Sequence, residues 1–322
     1  MSSVTSTPAV RGSATESRHL LGWTLALAFG LAAPWFIYPT FLMKVLCFAL
    51  FACAFNLLLG FAGLLSFGHA AFFGGAAYVC AWLSKAYGVT PELAILAGGG
   101  VAALLGLLFG ALSIRRAGIY LTMITLALAQ LVFFFAVQLP FTGGEDGLQG
   151  VPRGKLLGLI DLSDNLAMYF FVFAVFCAGF WLIRRTIDSP FGQVMKAIRE
   201  NEPRAISLGY DVERHKVLAF VLSAGLAGLA GSTKALVLQF AALTDVHWHR
   251  SGEVVLMTLL GGMGTVLGPS VGALAVVAME NYLAGLGDWV TVIVGAVFVV
   301  GVLAFRRGFV GEAFRLLRRI PF

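Results

Sequence analysis

Long apolar stretches separated by short polar ones fill almost the whole chain. They lie at 20–38, 41–60, 66–86, 92–113, 117–138, 165–183, 216–238, 251–263, 266–284 and 288–305. Most approach ~20 residues, the length an α-helix needs to cross a hydrocarbon core roughly 30 Å thick. A membrane β-barrel would instead show short alternating segments. The pattern predicts an all-α, polytopic helical membrane protein of about ten spans, with one membrane domain at 20–305. A polar tail, 1–19, precedes it and a basic tail, 306–322, follows. The tail 1–19 has no apolar core of its own, so 20–38 reads as an uncleaved first span rather than a removed signal.

Two places break the pattern. The run 251–263 is too short to cross alone and ends in glycines, and the stretch 57–75 (LLLGFAGLLSFGHAAFFGG) has the same character. LLGFAG at 58–63 and LLGGMG at 259–264 share their leucines and the spacing of Gly60 and Gly63 with that of Gly261 and Gly264. Broken or re-entrant helices are expected at both, with Gly68 and Gly268 completing the two glycine sets. Such backbone is tolerated at membrane depth where protein buries it or water reaches it. A broken segment in each half points to an internal repeat with a substrate path at the repeat interface. The alternative is that small residues merely let helices pack closely.

The segment 195–216, MKAIRENEPRAISLGYDVERHK, crowds acids and bases together between apolar runs. Ser189-Pro190 forms a helix start, and Phe191, Val194, Met195 and Ile198 fall on one apolar stripe. Asn201 is placed to cap a second short helix with Pro203 in its first turn, and Gly209 to end it. Two short helices joined by a sharp turn are expected, lying at the membrane face. They cannot cross, since each charge at the bilayer centre costs ~2.5–3.5 kcal/mol even on the lenient insertion scale. A rigid knob of mixed charge suits docking to another protein; a connector that packs on its own spans would look similar.

Composition agrees: 59% of residues are hydrophobic and 12% charged, with mean hydropathy +0.91. The net charge of +6 is explained by loop asymmetry, without nucleic acid as a partner. Basic residues gather at Arg11 and Arg18, at Arg115 and Arg116, in the loop 184–216, and after residue 305, whereas the loop 139–164 is acidic or balanced. With basic loops inside, ten spans alternate without conflict and leave both termini cytoplasmic. The four cysteines fall inside apolar runs without CxxC spacing, as small buried hydrophobes rather than disulfides or metal ligands.

DSPFGQVMKAIRENEPRAISLGYD (188–211), continuing through KVLAF (216–220), resembles the cytoplasmic coupling loop of branched-chain amino-acid ABC-transporter permeases of the LivM type. NLLLGFAGLLSFGHAAFFG (56–74) resembles that family's glycine-rich signature, and GIYLTMITLA (118–127), TGGEDGLQG (142–150) and GGMGTVLGP (261–269) have family counterparts in the same order. The resemblance implies a transmembrane subunit of a bacterial inner-membrane ABC importer. Its partners would be a second homologous permease, two ATP-binding subunits, a periplasmic solute-binding protein and membrane lipid. It also implies that Ala197, Ile198, Arg199, Glu200, Asn201, Pro203, Arg204 and Gly209 couple to an ATPase subunit. No GxxxxGKS/T occurs; GLAGSTK at 228–234 has the wrong spacing. ATP chemistry is therefore expected on a partner, and neither enzymatic activity nor a cofactor on this chain.

Lys44, Lys234, Glu253 and Glu280 are expected near outer span ends, snorkelling or pairing there. Asn56, Ser66, His69, Thr122, Thr125 and Gln130 are candidates for a translocation path. For Thr122 and Thr125 interhelical hydrogen bonding is the equal alternative, and His69, with no second histidine at metal spacing, fits a packed, hydrogen-bonded histidine better than a ligand. His247-Trp-His249, in an expected external loop, is weak for a metal, and no metal site is assigned. A proton- or sodium-driven carrier needs an ionisable group near the midplane, and no carboxylate is clearly placed there. The functional expectation is alternating access driven by separate ATPases. Alternatives are a urea or short-amide permease of the same superfamily, or a secondary carrier or facilitator acting without ATP.

Overall fold

In the computed structural model, which describes residues 30–116, 118–156, 158–287, 289–304 and 308–312, every apolar run after residue 38 is mainly helical over its described residues. The run 20–38 lies mostly outside the described residues, as do the tail 1–19 and most of 306–322. The helices are α1 (Pro39–Asn56), prolonged by a π-helical turn (Leu57–Phe61), α2 (His69–Tyr87), α3 (Pro91–Ser113), α4 (Ile119–Gln138) and α5 (Asn165–Asp188). Then come α6 (Pro190–Glu200), α7 (Glu202–Ser207), α8 (Val212–Leu238), α9 (Leu243–Val246), α10 (Trp248–Gly261), α11 (Gly268–Tyr282) and α12 (Trp289–Ala304). Proline opens the first turn of α1, α3, α6, α7 and α11, where its missing N–H has no helical partner to lose.

Among the described residues five helices are long and apolar enough to cross a membrane: α1 with its π turn, α3, α4, α5 and α8. The chain is a multi-pass helical membrane protein. The 14 residues of α10 rise only ~21 Å, which matches its reading as a segment too short to cross alone. Two small antiparallel pairs depart from an all-α reading. β1 (Leu148–Gln149) pairs with β4 (Phe240–Ala241), and β2 (Lys155–Leu156) with β3 (Ile160–Asp161). Strands of two residues carry no periodicity to read.

Helix α8 sits at the centre because its side chains are small. Ser223, Ala224, Ala227, Gly228, Ala230, Gly231 and Ser232 are all buried. Gly231 lies against the Phe73 carbonyl of α2, and Gly228 against Ala102 of α3. Such close backbone approach is how helices associate where no hydrophobic force distinguishes neighbour from lipid. Helix α4 is peripheral, exposing Tyr120, Met123, Leu131, Phe134 and Phe135.

The bundle has two distinct ends. At one, Arg115 of the α3–α4 turn shares a cavity wall with Glu213 and Arg214 of the first turn of α8, and the α6–α7 knob sits beside them. At the other, the 139–164 loop is tied down by Lys85 Nζ donating to Gln149 O (2.8 Å) and an Arg153 guanidinium N–H donating to Val237 O (3.0 Å). Asp161 of that loop accepts the Ser163 N–H (2.9 Å), a backbone bond that holds its carboxyl below the usual range.

Candidate functional site

The knob folds as its caps dictate. Ser189 accepts the Gly192 N–H (3.3 Å) to start α6, Asn201 accepts the Arg204 N–H (3.1 Å) to start α7, and Gly209 leaves α7 with φ +86°. Asp211 then accepts the Arg214 N–H (3.1 Å) to start α8. Ile198 packs with Ala205, Val212 and Val194 in a small core of the knob's own. The rest of the apolar stripe, Phe191 and Met195, faces Leu57, Phe61 and Ala219 with a residual gap of about 10 Å³. Lys216 of α8 binds Glu202 of α7 (2.6 Å). Ala197, Glu200, Pro203 and Arg204 are left exposed, and beside them Ile206, Leu208 and Tyr210 are exposed as well. Of the residues predicted to couple, Ile198, Asn201 and Gly209 thus build the knob, and the others present its outer surface; Arg199, itself exposed, also reaches Gly60 with its guanidinium.

The knob rests on the place where two broken helices meet. The first break follows the π turn, with Gly63 at φ +73°; the second joins α10 to α11, with Gly262 at φ +112° and Gly264 at φ +78°. Though some 200 residues apart, the breaks bond through Asn56, whose Nδ2 donates to Thr265 O (2.8 Å) and whose Oδ1 accepts the Gly264 N–H (3.0 Å). A side chain at Gly60 would collide with Asn56 Oδ1 and come within 2.6 Å of Gly264 N. Both glycine motifs therefore mark breaks in contact. At the knob side, Arg199 of α6 donates from its guanidinium to Gly60 O, and Lys196 lies over the Phe61 ring, 5.8 Å from its centroid.

Beyond the first break, a polar cluster surrounds the start of α2. The Phe67 N–H donates to Thr125 Oγ1 (3.2 Å), the Gly68 N–H to Ser66 Oγ (3.1 Å), and the Ala70 N–H to Ser251 Oγ (2.9 Å). His69 Nε2 meets Ser223 Oγ (2.8 Å), which donates to Ala54 O (2.6 Å), and Ser251 Oγ donates to Phe67 O (2.7 Å). N–H groups that a helix start leaves without partners are thus satisfied by hydroxyls, including those of α4 and α10. Of the path candidates, Asn56, Ser66, His69 and Thr125 are all buried in these contacts. Thr122 instead lines a cavity of about 280 Å³ with Gly63, Leu64, Leu65, Gly118, Ile119 and Leu121, and Gln130 lies about two turns further along α4, partly exposed. Gly68 packs against the Phe109 ring, and Gly268 against Thr265.

Near the loop end Lys234, expected to snorkel or to pair, is paired, and it is buried. Lys234 of α8 binds Asp245 of α9 (2.5 Å), with both side chains at most 5% exposed. Asp245 also faces Arg250 (3.8 Å), Arg250 pairs with Glu253, and Lys44 of α1 pairs with Glu280 of α11 (3.3 Å). Here the chain turns back into the protein, since Gly74 of α2 lies against the backbone of Asp245 and Val246. A snorkelling site needs open water within reach of the ammonium; at Lys234 short helix α9 brings a carboxylate inward instead. His247-Trp-His249, expected in an external loop, begins α10, with His247 Nδ1 accepting the His249 N–H (3.4 Å).

Residues 37–302 match the family model described as "Branched-chain amino acid transport system / permease component". The chain belongs to that family. The permease is 26% identical over 319 residues to the high-affinity branched-chain amino acid transport system permease protein LivM of Escherichia coli, covering 91% of this chain and 75% of that protein. To LivM of Salmonella typhimurium it is 27% identical over 268 residues, covering 76% and 63%. It is 29% identical over 199 residues to the autoinducer 2 import system permease protein LsrC of Klebsiella pneumoniae, covering 58% and 55%. No solved structure matches the permease.

Four residues of this site escaped the sequence reading: Ser223, Ser251, Asp245 and Arg250. The two serines look like ordinary small residues of packed helices. Asp245 and Arg250 precede the apolar run that begins at 251, so periodicity assigns them to a loop. A usable signal was the spacing of Arg250 and Glu253, one turn apart at a helix start.

Proposed function

We propose that this permease is the membrane subunit of an ATP-driven importer of branched-chain amino acids in the bacterial inner membrane. It pairs with a second homologous permease, two ATP-binding subunits and a periplasmic solute-binding protein. About ten spans are expected, with the knob end and both termini on the cytoplasmic side and the 139–164 loop outside. The family and the LivM relatives support the substrate class, and the distribution of basic residues supports the orientation.

The observation that carries the coupling role is the outer face of the knob. Ile206 (58% exposed), Leu208 (67%) and Tyr210 (43%) stand among Glu200, Arg204 and Glu213 on a rigid, doubly capped support. Apolar side chains ringed by charge on a preorganised surface suit a protein partner. Closure of the ATPase pair pushes this face, and the adjoining helix breaks re-form around a central path.

Charge reversal of Glu200, which lies outside the knob's core, tests the reading. In the assembled importer Glu200→Lys is expected to cut ATP-dependent L-leucine uptake at least about tenfold, equivalent to ~1.4 kcal/mol of lost coupling, with the chain still inserted at normal level. Uptake equal to wild type at equal expression would remove the knob from the coupling path.

A further inference from the structure

We propose that Arg199 is the catch that holds the knob-end exit of the path closed. It is a positioning residue acting on the first helix break, and the idea rests on the importer reading above. A continuing helix would give the Leu64 N–H to Gly60 O, but that N–H turns back to Leu58 O (3.1 Å). The carbonyl so freed, at the negative end of α1, takes its hydrogen bond from the Arg199 guanidinium, the cationic partner a helix C-terminus favours. The aliphatic stem of the same side chain closes over the break: a Cβ on Gly63 would lie 2.9 Å from Arg199 Cγ. Its terminal nitrogen also reaches the second break, 3.6 Å from where a Cβ of Gly264 would stand. One side chain from the knob therefore touches both breaks.

What lies behind the catch gives it a purpose. Residues 63–65 of the break form one wall of the 280 Å³ cavity, and Thr122 belongs to the opposite wall. One turn further along α4, Thr125 takes the Phe67 N–H (3.2 Å). The 62–68 segment is thus pinned at one end by Arg199 and at the other by Thr125 and Ser251, with the cavity beside its residues 63–65. Glu200, the next residue of α6, is exposed. Any partner that shifts α6 by its outer face withdraws the guanidinium from Gly60 at the same time. The segment then loses its hold at the cavity end first, and the cavity opens toward the path.

The test uses the complete importer in lipid nanodiscs, open to both faces, carrying the substitution Thr122→Cys. Labelling of the introduced thiol by a water-soluble maleimide, without ATP, is measured above the background of the four native thiols. With Arg199→Ala added, labelling at position 122 is expected to accelerate about tenfold. ATP hydrolysis should continue while L-leucine uptake per ATP falls, and Arg199→Lys should restore slow labelling in part. Unchanged labelling in an Arg199→Ala complex that still hydrolyses ATP would overturn the catch. If Arg199→Ala is not recovered folded, Arg199→Met, which keeps the aliphatic stem but neither an N–H donor nor a charge, carries the same measurement; unchanged labelling there overturns it too. Failure of the importer reading is separately visible, as a wild-type complex that takes up no L-leucine whatever the labelling shows.

Discussion

Replacing Lys234 with methionine is expected to destabilise the folded permease by about 3–5 kcal/mol, the cost of leaving a buried charge without its partner. Asp245 is fully enclosed, and the ammonium 2.5 Å away is its short-range counter-ion. Arg250 lies at 3.8 Å and is shared with Glu253. Methionine fills the lysine stem's volume, so the loss is electrostatic rather than a cavity. The double variant Lys234→Met with Asp245→Asn removes both charges and should recover most of the stability. Chemical unfolding in detergent micelles checks both. A single variant within about 1 kcal/mol of wild type would mean that the pair contributes little to folding.

The second large effect is expected at Gly60. Alanine there places a methyl group against Asn56 Oδ1 and within 2.6 Å of Gly264 N, so the two helix breaks are forced apart. Overpacking of this kind costs about 1–3 kcal/mol, and freeing the Asn56 amide from Thr265 O and the Gly264 N–H leaves buried polar groups unpaired, about 1–3 kcal/mol more. Gly60→Ala should therefore lose about 2–6 kcal/mol and abolish uptake. Gly100→Ala is the control: it sits mid-helix in α3 with open space where its Cβ would go, and should gain up to about 1 kcal/mol. Equal stability and uptake in both variants would show that the breaks do not depend on contact.

The contrast between these sites shows what a linear chain reveals. Helix positions were legible because apolar runs and caps are local. The 165–183 and 216–238 runs fall within α5 and α8, and Ser189, Asn201 and Gly209 act where their chemistry places them. The glycine motifs predicted breaks for the same reason. That the breaks touch was not legible, since Asn56 and Thr265 meet only through the packing of α1 against α10 and α11. Likewise Lys44 and Glu280, 236 residues apart, each look like a span-end charge until the bundle closes. Asn56, Ser66, His69 and Thr125 were chosen as polar residues in apolar surroundings. Each is bonded to backbone or to another side chain, and residue type alone does not separate such a role from lining a path.

The measurement closest to the central claim is L-leucine accumulation in sealed proteoliposomes. They would contain either this permease alone or the complete importer with its paired permease, ATP-binding subunits and solute-binding protein. With the full set and ATP, the account predicts uphill accumulation that falls at least about tenfold when Glu200 is reversed; the permease alone should accumulate nothing under a proton or sodium gradient. Robust gradient-driven accumulation by the single chain would contradict the account and make the permease its own motor.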